Sequence, residues 1–442
     1  MKLKLKPSWP FDPMNWPFFY GWVILFAGTV GILMSMPGQT IGVSLFTDPL
    51  ISSLGISRNN LSLAYMLGTI GSSLLLPWAG RMYDQLGARI VALLASIGMG
   101  ITLAILSQID VILLDIFNLK YSWTIVFPMV LVFLLLRFSG QGVLTLASRN
   151  MTVVWFNRNR GFATGFSNVF VSLGFSFSPV VMNSIIQGYS WRGAWLILAL
   201  ISLLVFPLFV LLFFRNKPED SGLMADGNLK TKKNKQLPRF PIIKDFTVSE
   251  AKKSYTFWVC SLMLAMQALF ITAFTFHVVS IFESVGSTKD QAVTIFQPIA
   301  LISVVTTLVF SIVSDYVSLK PLYLLKGVGA ILGIFGVVIL KEWDGAYVLI
   351  IIGNGLMIGL FSVLMSVTWS RYFGNGNIGA ITGKVVSLMV FGSSIGPVLY
   401  SWSFTYSGNY ELGSLVCLVV YLALTIAVFW IHNPQNKLKK TV

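Results

Sequence analysis

The chain has 442 residues, of which 55% are hydrophobic and only 11% are charged, and its formal net charge is +15. Soluble domains carry about 25% charged residues, so the composition excludes an ordinary soluble protein and indicates a chain that lies mostly in lipid. The two cysteines and the two histidines form neither a disulfide framework nor a metal-ligand spacing. We expect no cofactor and no bound metal.

Twelve apolar runs follow one another along the chain, and each is long enough to cross a membrane, which takes about 20 residues. A helix satisfies its backbone hydrogen bonds within itself, so helices are the expected spanning structure. We predict an all-α polytopic membrane protein. The predicted spans are 20–46, 60–79, 90–107, 123–147, 162–187, 193–214, 255–282, 292–313, 322–340, 346–369, 378–403 and 410–431.

Lysine and arginine lie mainly on one side of these spans. With the N-terminus inside, 24 of the 31 fall in inner segments, Lys326 among them, five fall in outer segments, and Arg137 and Lys384 fall within spans. The positive-inside rule then predicts cytoplasmic termini, in an inner or plasma membrane. The net charge reflects topology and attraction to anionic lipid rather than nucleic-acid binding. For Lys384, snorkelling to the headgroups is favoured over attraction of a substrate.

The first span contains the run SMPGQTIGVS at 35–44. A proline inside a helix frees a backbone carbonyl one turn earlier, and the neighbouring glycine allows a bend. The locally opened helix would offer a substrate two uncharged hydrogen-bonding side chains, Gln39 and Thr40. A simple kink is the alternative.

The second span ends in GRMYDQLGAR at 80–89. The spacing of Gly80, Asp84, Gly87 and Arg89 favours a gate, in which the aspartate pairs with a nearby arginine or faces the dipole of a neighbouring helix. Such a cluster would hold two halves of the protein together on the inner side. The alternative is a charged turn that only marks topology.

The fourth span contains LVFLLLRFSGQG at 131–142, with Arg137 near mid-depth. A cation in the bilayer is costly and usually faces a cavity or a partner, yet all sixteen Asp and Glu residues fall in tails, loops or span ends. One hypothesis is that Arg137, with Gln141 on the same helix face, attracts an anionic substrate group. The other is a structural arginine bonded to backbone carbonyls or used in helix packing and gating.

The one long polar stretch separates six spans from six and is rich in Lys, Gly and Pro. We predict an N-terminal bundle over 1–214, a cytoplasmic linker over 215–253 and a C-terminal bundle over 254–442. The linker is expected to be a flexible connector with a short interfacial helix near Phe240–Phe246.

The seventh span contains His277, the only imidazole in a span. An imidazole titrates near neutrality and suits a proton step, and Gln267, Phe270 and Phe274 lie on the same helical stripe. One hypothesis is a pathway lining that takes part in proton coupling. The alternative, slightly favoured, is a histidine satisfied by a helix neighbour near the outer surface.

Two parts of the chain match at a single offset of 218 residues. Separately, the ends of spans 2 and 8 resemble each other, and Asp84 matches Asp315, which joins the predicted gate. The pattern predicts a duplicated six-span unit whose halves rock about a central site. The matching residues are Gly161 with Gly379, Gly165 with Gly383, and Pro179 with Pro397.

Together these motifs resemble the major facilitator superfamily. GRMYDQLGAR resembles its loop between the second and third helices, RFSGQG its fourth-helix arginine and glycines, and Gly174 with Pro179 its fifth helix. The resemblance implies two six-helix bundles, alternating access and a cavity lined by spans 1, 4, 7 and 10. It adds three residues of span 10 to the substrate-binding candidates: Asn354, Phe361 and Ser362.

A finer resemblance is to the monocarboxylate and oxalate–formate porter branch. It rests on YGW at 20–22, RNRGFATG at 158–165 and His277 late in span 7. The chain departs from that branch at Met389 in span 11, where the branch often carries a polar or basic residue.

The sequence therefore predicts a secondary active transporter of a small organic solute, a carboxylate anion on the finer resemblance, with proton coupling or exchange. The alternatives are efflux of a drug-like or siderophore-like compound and a non-transporting sensor or scaffold. The chain has no Walker phosphate loop, HExxH or GxSxG motif, so we do not expect an enzyme. The expected partners are the solute, protons and membrane lipid, and the expected state is a monomer.

Overall fold

A computed structural model of the chain describes residues 6, 8–119, 121–227, 240–287, 292 and 294–438. The described residues fold into helices joined by short loops, with no β-strand among them. The predicted all-α class is confirmed. The apolar helices follow from the hydropathy of the sequence, because a helix leaves no backbone group unsatisfied in lipid.

The chain divides into two compact units, and two short segments cluster away from their own half of the sequence. Residues 158–169 cluster with the second unit and residues 382–384 with the first. The first unit is Met1–Asn157, Phe170–Gln236 and Thr382–Lys384, and the second is Arg158–Val169, Leu237–Ile381 and Val385–Val442.

The first half of the sequence contains nine helices within the described residues, numbered here in chain order. π-helical turns interrupt them at Val111–Ile116, Arg137–Leu144 and Ile201–Val205. The helices are α1 Gly21–Met34, α2 Thr40–Ser44, α3 Thr47–Leu54, α4 Arg58–Leu86, α5 Ala88–Ser107, α6 Ser122–Leu136, α7 Thr145–Trp155, α8 Arg160–Leu200 and α9 Phe206–Phe213.

Local chemistry sets several of these boundaries. α4 begins after Ser57, whose Oγ accepts the N–H of Asn60 at 3.2 Å and caps the helix. It ends at Gly87, whose φ of +85° favours glycine. The long helix α8 covers two predicted spans, and it breaks between them at Ser190, which has φ 63° and ψ 170°.

The second half contains a short helix of the linker and then the remaining spans. Two of these helices pack so closely that a Cβ on Gly353 would overlap the backbone nitrogen of Gly333, which is how small residues let membrane helices approach. The helices are α10 Val248–Lys252, α11 Tyr255–Glu283, α12 Phe296–Tyr316, α13 Leu319–Val338, α14 Ala346–Phe373, α15 Ile378–Ser407, α16 Glu411–Ala427 and α17 Gln435–Leu438.

The helices account for the twelve predicted spans. Over the described residues, ten helical stretches are long and apolar enough to cross a membrane, and Gly21–Met34 is a shorter apolar helix. The part of α8 before Ser190 supplies the remaining span. The chain is therefore a multi-pass membrane protein.

The prediction of a helix near Phe240–Phe246 is wrong. Residues 240–247 form no helix, and the helix α10 begins only at Val248. A proline at 241 disfavours helix before it, while a capping box of Thr247 and Glu250 starts α10. Hydrogen bonds from Lys244 and then Thr247 lower the pKa of the Glu250 carboxyl to about 2. Residues 228–239, predicted to be flexible, lie outside the described part.

The segment 240–247 is tied to the end of α14. Asp245 Oδ1 accepts the backbone N–H groups of Asn375 at 2.7 Å and Gly376 at 2.9 Å. The N–H of Phe246 donates to the carbonyl oxygen of Phe373 at 2.9 Å. This half of the linker is therefore an ordered part of the second unit.

Candidate functional site

The first membrane span is interrupted where the sequence has proline and glycine. α1 ends at Met34, a 3-10 turn covers Met36–Gly38, and Gln39 is extended (φ −85°, ψ 158°) before α2 begins at Thr40. Proline has no N–H to donate, so the regular hydrogen-bond ladder stops here. The interruption leaves polar groups inside an otherwise apolar span.

Arg137 begins a π-helical turn, Arg137–Leu144, that packs against this interruption. At the contact, a Cβ on Gly38 would lie 2.8 Å from Cα of Gly140 and 2.8 Å from the carbonyl oxygen of Leu136. Only glycine fits without a shift of backbone. Such wide turns are frequent at functional sites, and this one brings the Arg137 side chain against the opened first span.

The Arg137 guanidinium is buried among neutral groups. Its Nη1 donates to the carbonyl oxygen of Gly38 at 3.1 Å and to Oγ1 of Thr40 at 3.3 Å. The ring of Tyr65 lies 5.1 Å away, and the Tyr65 hydroxyl donates to Thr40 Oγ1 at 3.0 Å.

The charge of Arg137 has no acidic counterpart in the described part of the chain. The residue is only 2% exposed, and its Nε has no hydrogen-bond partner among the described residues. No described carboxylate lies within 4.0 Å of the guanidinium. A buried cation of this kind is costly and usually functional.

Gln39 belongs to a second group of hydrogen bonds, beside the one that Arg137 and Thr40 form. Its Nε2 donates to Oγ of Ser35 at 3.0 Å and to Oγ1 of Thr145 at 3.4 Å, and Thr145 donates to Ser35 at 3.0 Å. Gln141 is half-buried, and its side-chain carbonyl oxygen has no partner among the described residues. The first unit thus brings Gln39, Thr40 and Arg137 together.

The candidates of the second unit are more dispersed. Gln267 on α11 and Asn354 on α14 are 4% and 0% exposed, and each has a side-chain carbonyl oxygen without a described hydrogen-bond partner. Asn354 Nδ2 donates to the carbonyl oxygen of Ile350 at 2.9 Å. Phe361 and Ser362 are half-buried further along α14. No described hydrogen bond joins these four side chains.

His277 lies beside α15. Its Nε2 is 3.1 Å from the carbonyl oxygen of Pro397 and 3.3 Å from Oγ of Ser401. A carbonyl only accepts, so Nε2 carries the hydrogen, and a second proton would bind at Nδ1. The ring of Tyr410 lies 5.3 Å away. The imidazole is thus held by a neighbouring helix.

Asp315, in the last turn of α12, binds the start of α8 inside the second unit. Its Oδ1 accepts the N–H of Gly161 at 2.9 Å, and its Oδ2 accepts the N–H of Phe162 at 3.1 Å. A carboxylate is stabilised at a helix N-terminus, where free N–H groups and the helix dipole meet it. Arg160 adds a hydrogen bond to Oγ of Ser370 at 2.6 Å.

The second copy of the repeated glycine motif makes the same kind of contact inside the first unit. A Cβ on Gly383 would lie 2.8 Å from the carbonyl oxygen of Leu76 and 3.1 Å from Cα of Gly80. Beside it, Asn150 Nδ2 donates to Oγ1 of Thr382 at 2.7 Å. Both helix starts therefore use glycine for close backbone contact, as the repeat predicts.

The other predicted gating residues lie around the turn between α4 and α5. Asp84 is half-buried in the last turn of α4. The side chain of Asn216 lies where a Cβ on residue 87 would stand. Its Oδ1 accepts the backbone N–H of Arg89 at 3.1 Å. The Arg89 guanidinium donates to the carbonyl oxygens of Lys6, Trp9 and Leu211, so this arginine binds the N-terminal tail.

The charge count placed Lys326 in an inner segment, and this is wrong. The residue lies within α13 and is 0% exposed. Its Nζ donates to the carbonyl oxygen of Met263 at 3.0 Å and to the hydroxyl of Tyr421 at 3.4 Å. The available hint was that Lys326 falls within the predicted span 322–340.

The fold and the site define a class: a polytopic membrane protein whose two sequence halves repeat a glycine-rich helix start. The sequence matches the family model described as Major Facilitator Superfamily over residues 23–397. The chain belongs to the major facilitator superfamily. Members of this family are transporters rather than enzymes, which supports the expectation that the chain has no enzymatic activity. No curated protein matches the sequence.

Solved structures with the same fold include three transporters of low sequence identity. The proton:xylose symporter XylE bound to 6-bromo-6-deoxy-D-glucose is 15% identical over 93% of this chain and 95% of its own, with a TM-score of 0.65. The human organic anion transporter MFSD10 (TETRAN) is 14% identical over 92% and 99%, with a TM-score of 0.60. The E. coli fucose:proton symporter FucP is 12% identical over 93% and 97%, with a TM-score of 0.61.

Proposed function

We propose that the protein is a secondary active transporter that moves a small organic anion by alternating access. Its bundles are residues 1–214 and 254–442, joined by the linker 215–253, and both termini are cytoplasmic in the cell membrane. The fold is shared with a protein described as an organic anion transporter and with two proton symporters, so it admits this function. A carboxylate solute, as in the monocarboxylate and oxalate–formate branch, is the specific proposal.

The uncompensated charge of Arg137 carries the proposal. Arg137 has five N–H donors, but its hydrogen bonds within the described chain come from Nη1 alone, and both acceptors are neutral. The Gly38 carbonyl then fixes the guanidinium, and the exposed Thr40 gives a solute a neutral hydrogen-bonding neighbour. A structural bond to Gly38 and attraction of an anion are compatible roles of one side chain.

We expect Arg137→Gln to lose counterflow of a labelled monocarboxylate in proteoliposomes while keeping counterflow of a neutral analogue. A hydrogen bond to a charged group contributes about 1.5–3 kcal/mol, so apparent affinity for the anion should fall about 10- to 100-fold. Arg81→Gln is the matched control, because Arg81 is exposed on α4 and loses the same charge. Equal loss for the anionic and neutral solutes would remove the anion role.

His277 is the proposed proton-coupling residue, because its Nε2 is engaged by Pro397 while Nδ1 is the position for a second proton. We expect His277→Ala to abolish uptake driven by a pH gradient while solute exchange persists. His432→Ala is the control, since its exposed imidazole lies beyond α16. Gradient-driven uptake at the normal rate in His277→Ala would assign the histidine to packing alone.

The proposed gate consists of the two repeated helix starts. Residues 158–169 and 382–384 each cluster away from their own half of the sequence, and in the proposed gate their contacts break and re-form during the transport cycle. Asp315 with Gly161 and Gly80 with Gly383 are the proposed closing contacts. Weakening either contact would shift the population between conformations.

A further inference from the structure

Lys326 is a buried cation that the proposed transport site does not use. It is 0% exposed, and its Nζ has two described hydrogen-bond partners, the Met263 carbonyl oxygen at 3.0 Å and the Tyr421 hydroxyl at 3.4 Å. The Tyr421 ring centroid lies 5.4 Å from Nζ. Within the described chain, no carboxylate lies within 4.0 Å of it. Taking an ion out of water without a counter-ion costs several kcal/mol.

The elements packed against α13 offer this amine no compensating charge. They are α11, α12, α14 and α16, and only Tyr421 among their titratable side chains bonds to Nζ in the described part. The titratable and charged residues of these helices are Tyr255, Cys260, His277 and Glu283 on α11, Asp315 and Tyr316 on α12, Lys320 and Tyr323 on α13, Tyr347, Arg371 and Tyr372 on α14, and Glu411, Cys417 and Tyr421 on α16.

The two polar groups around Nζ can bond to either form of the amine. The Tyr421 hydroxyl is also 3.3 Å from the Met263 carbonyl oxygen, so the three atoms form a triangle. A charged ammonium donates to both oxygens. A neutral amine donates to the carbonyl and accepts the hydroxyl hydrogen of Tyr421. After the loss of one proton, the amine, the carbonyl and the hydroxyl each still have a hydrogen-bond partner.

The carbonyl of Met263 connects this triangle to a candidate substrate-binding residue. In an α-helix the carbonyl of residue 263 is the acceptor for the N–H of residue 267, and both lie in α11. Lys326 thus shares an acceptor with the backbone of Gln267. A charged donor competes more strongly for that oxygen than a neutral one, and side-chain insertion into the helical ladder bends helices.

We propose that Lys326 and Tyr421 form a pH-sensitive switch that alters α11 at Gln267 as the amine gains or loses its proton. Protonation strengthens the bond to the Met263 carbonyl, loosens the helical bond to Gln267 and changes the transport rate. The effect on rate rests on the proposed transport function, whereas the effect on α11 does not. Lys326 acts here as a positioning residue.

The decisive comparison is between Lys326→Arg, which stays charged, and Lys326→Met, which stays neutral. Counterflow would be measured from about pH 6 to about pH 9, between the ordinary imidazole and lysine ranges. We expect both variants to lose the part of the wild-type pH dependence due to this amine. The counterflow rate of Lys326→Arg should stay near the wild-type rate at low pH, and that of Lys326→Met near the wild-type rate at high pH. Lys320→Met, on the same helix, should keep the wild-type profile.

Hydrogen exchange of a peptide covering residues 260–270 gives a readout independent of transport. After correction for intrinsic exchange, wild-type protection should change with pH and should be constant in Lys326→Met. If a Lys326 variant fails to insert, Tyr421→Phe, which keeps the ring, should shift the midpoint of this change.

If Lys326→Arg keeps the wild-type pH profile of both hydrogen exchange and counterflow, the proposed switch is wrong. It is also wrong if protection in Lys326→Met still changes with pH as in the wild type. Absence of counterflow by the wild type at every pH, with the exchange change present, would count against the proposed function alone.

Discussion

Replacement of Gly161 by alanine is expected to slow transport strongly while the protein still inserts into the membrane. The N–H of Gly161 donates to Asp315, and a Cβ at this position would overlap the backbone carbonyl oxygen of Ser311. Rotation of a side chain does not relieve a clash with backbone. Overpacking of this kind costs about 1–3 kcal/mol or more, so the closed contact should be lost and counterflow should fall at least about tenfold.

Gly188→Ala is the matched control for Gly161→Ala. It lies on the same helix, α8, and a Cβ there meets nothing within 4 Å. Alanine is a better helix former than glycine by about 1 kcal/mol, so this variant should transport normally and be slightly more stable. Asp315→Asn should weaken the same contact by removing the charge at the helix start. Normal counterflow in both Gly161→Ala and Asp315→Asn would separate this contact from the transport cycle.

Much of the fold could be predicted from the sequence because the relevant forces are local. Each span needs only its own apolar side chains and its own hydrogen bonds. The interruption at Pro37 is local too, since proline removes a donor wherever it stands in a helix. The repeat pairs Gly161 with Gly379 and Gly165 with Gly383, and one glycine of each motif, Gly161 in the first and Gly383 in the second, lies close to a neighbouring backbone.

The partners of the charged residues could not be predicted in the same way. Arg137 and Arg89 each bind backbone carbonyls that are distant in sequence, and carbonyls are present in every residue. Lys326 was misplaced because a charge count treats a lysine near a span end as part of a loop. Its burial is set by Met263 and Tyr421, on two other helices.

The linker shows a third kind of limit. Its composition indicated a flexible connector, yet the backbone after residue 239 is bonded to the end of α14 through Asp245 and Phe246. The charged residues that make a segment look mobile here supply its specific contacts. The composition of a segment indicates how well water solvates it. Whether the segment is ordered depends on whether its N–H and C=O groups find hydrogen-bond partners elsewhere in the fold.

Gly38→Ala is expected to reduce apparent affinity for an anionic solute at least about tenfold, the equivalent of 1.4 kcal/mol. The added Cβ would lie 2.8 Å from Cα of Gly140, 2.8 Å from the carbonyl oxygen of Leu136 and 3.0 Å from the backbone nitrogen of Gln141. All three are backbone atoms, so the 3-10 turn must move away. The Gly38 carbonyl would then leave the guanidinium of Arg137, which it now holds at 3.1 Å.

The control for Gly38→Ala is Gly98→Ala on α5, where the nearest atom to an added Cβ is 3.8 Å away, an ordinary contact. Affinity would be measured for a monocarboxylate and a neutral analogue, together with the melting temperature in detergent. If Arg137 attracts the solute, Gly38→Ala should lower the ratio of anionic to neutral affinity. If the melting temperature falls while the ratio of anionic to neutral affinity stays unchanged, the Gly38–Arg137 contact serves stability only. The anion would then bind at a different site.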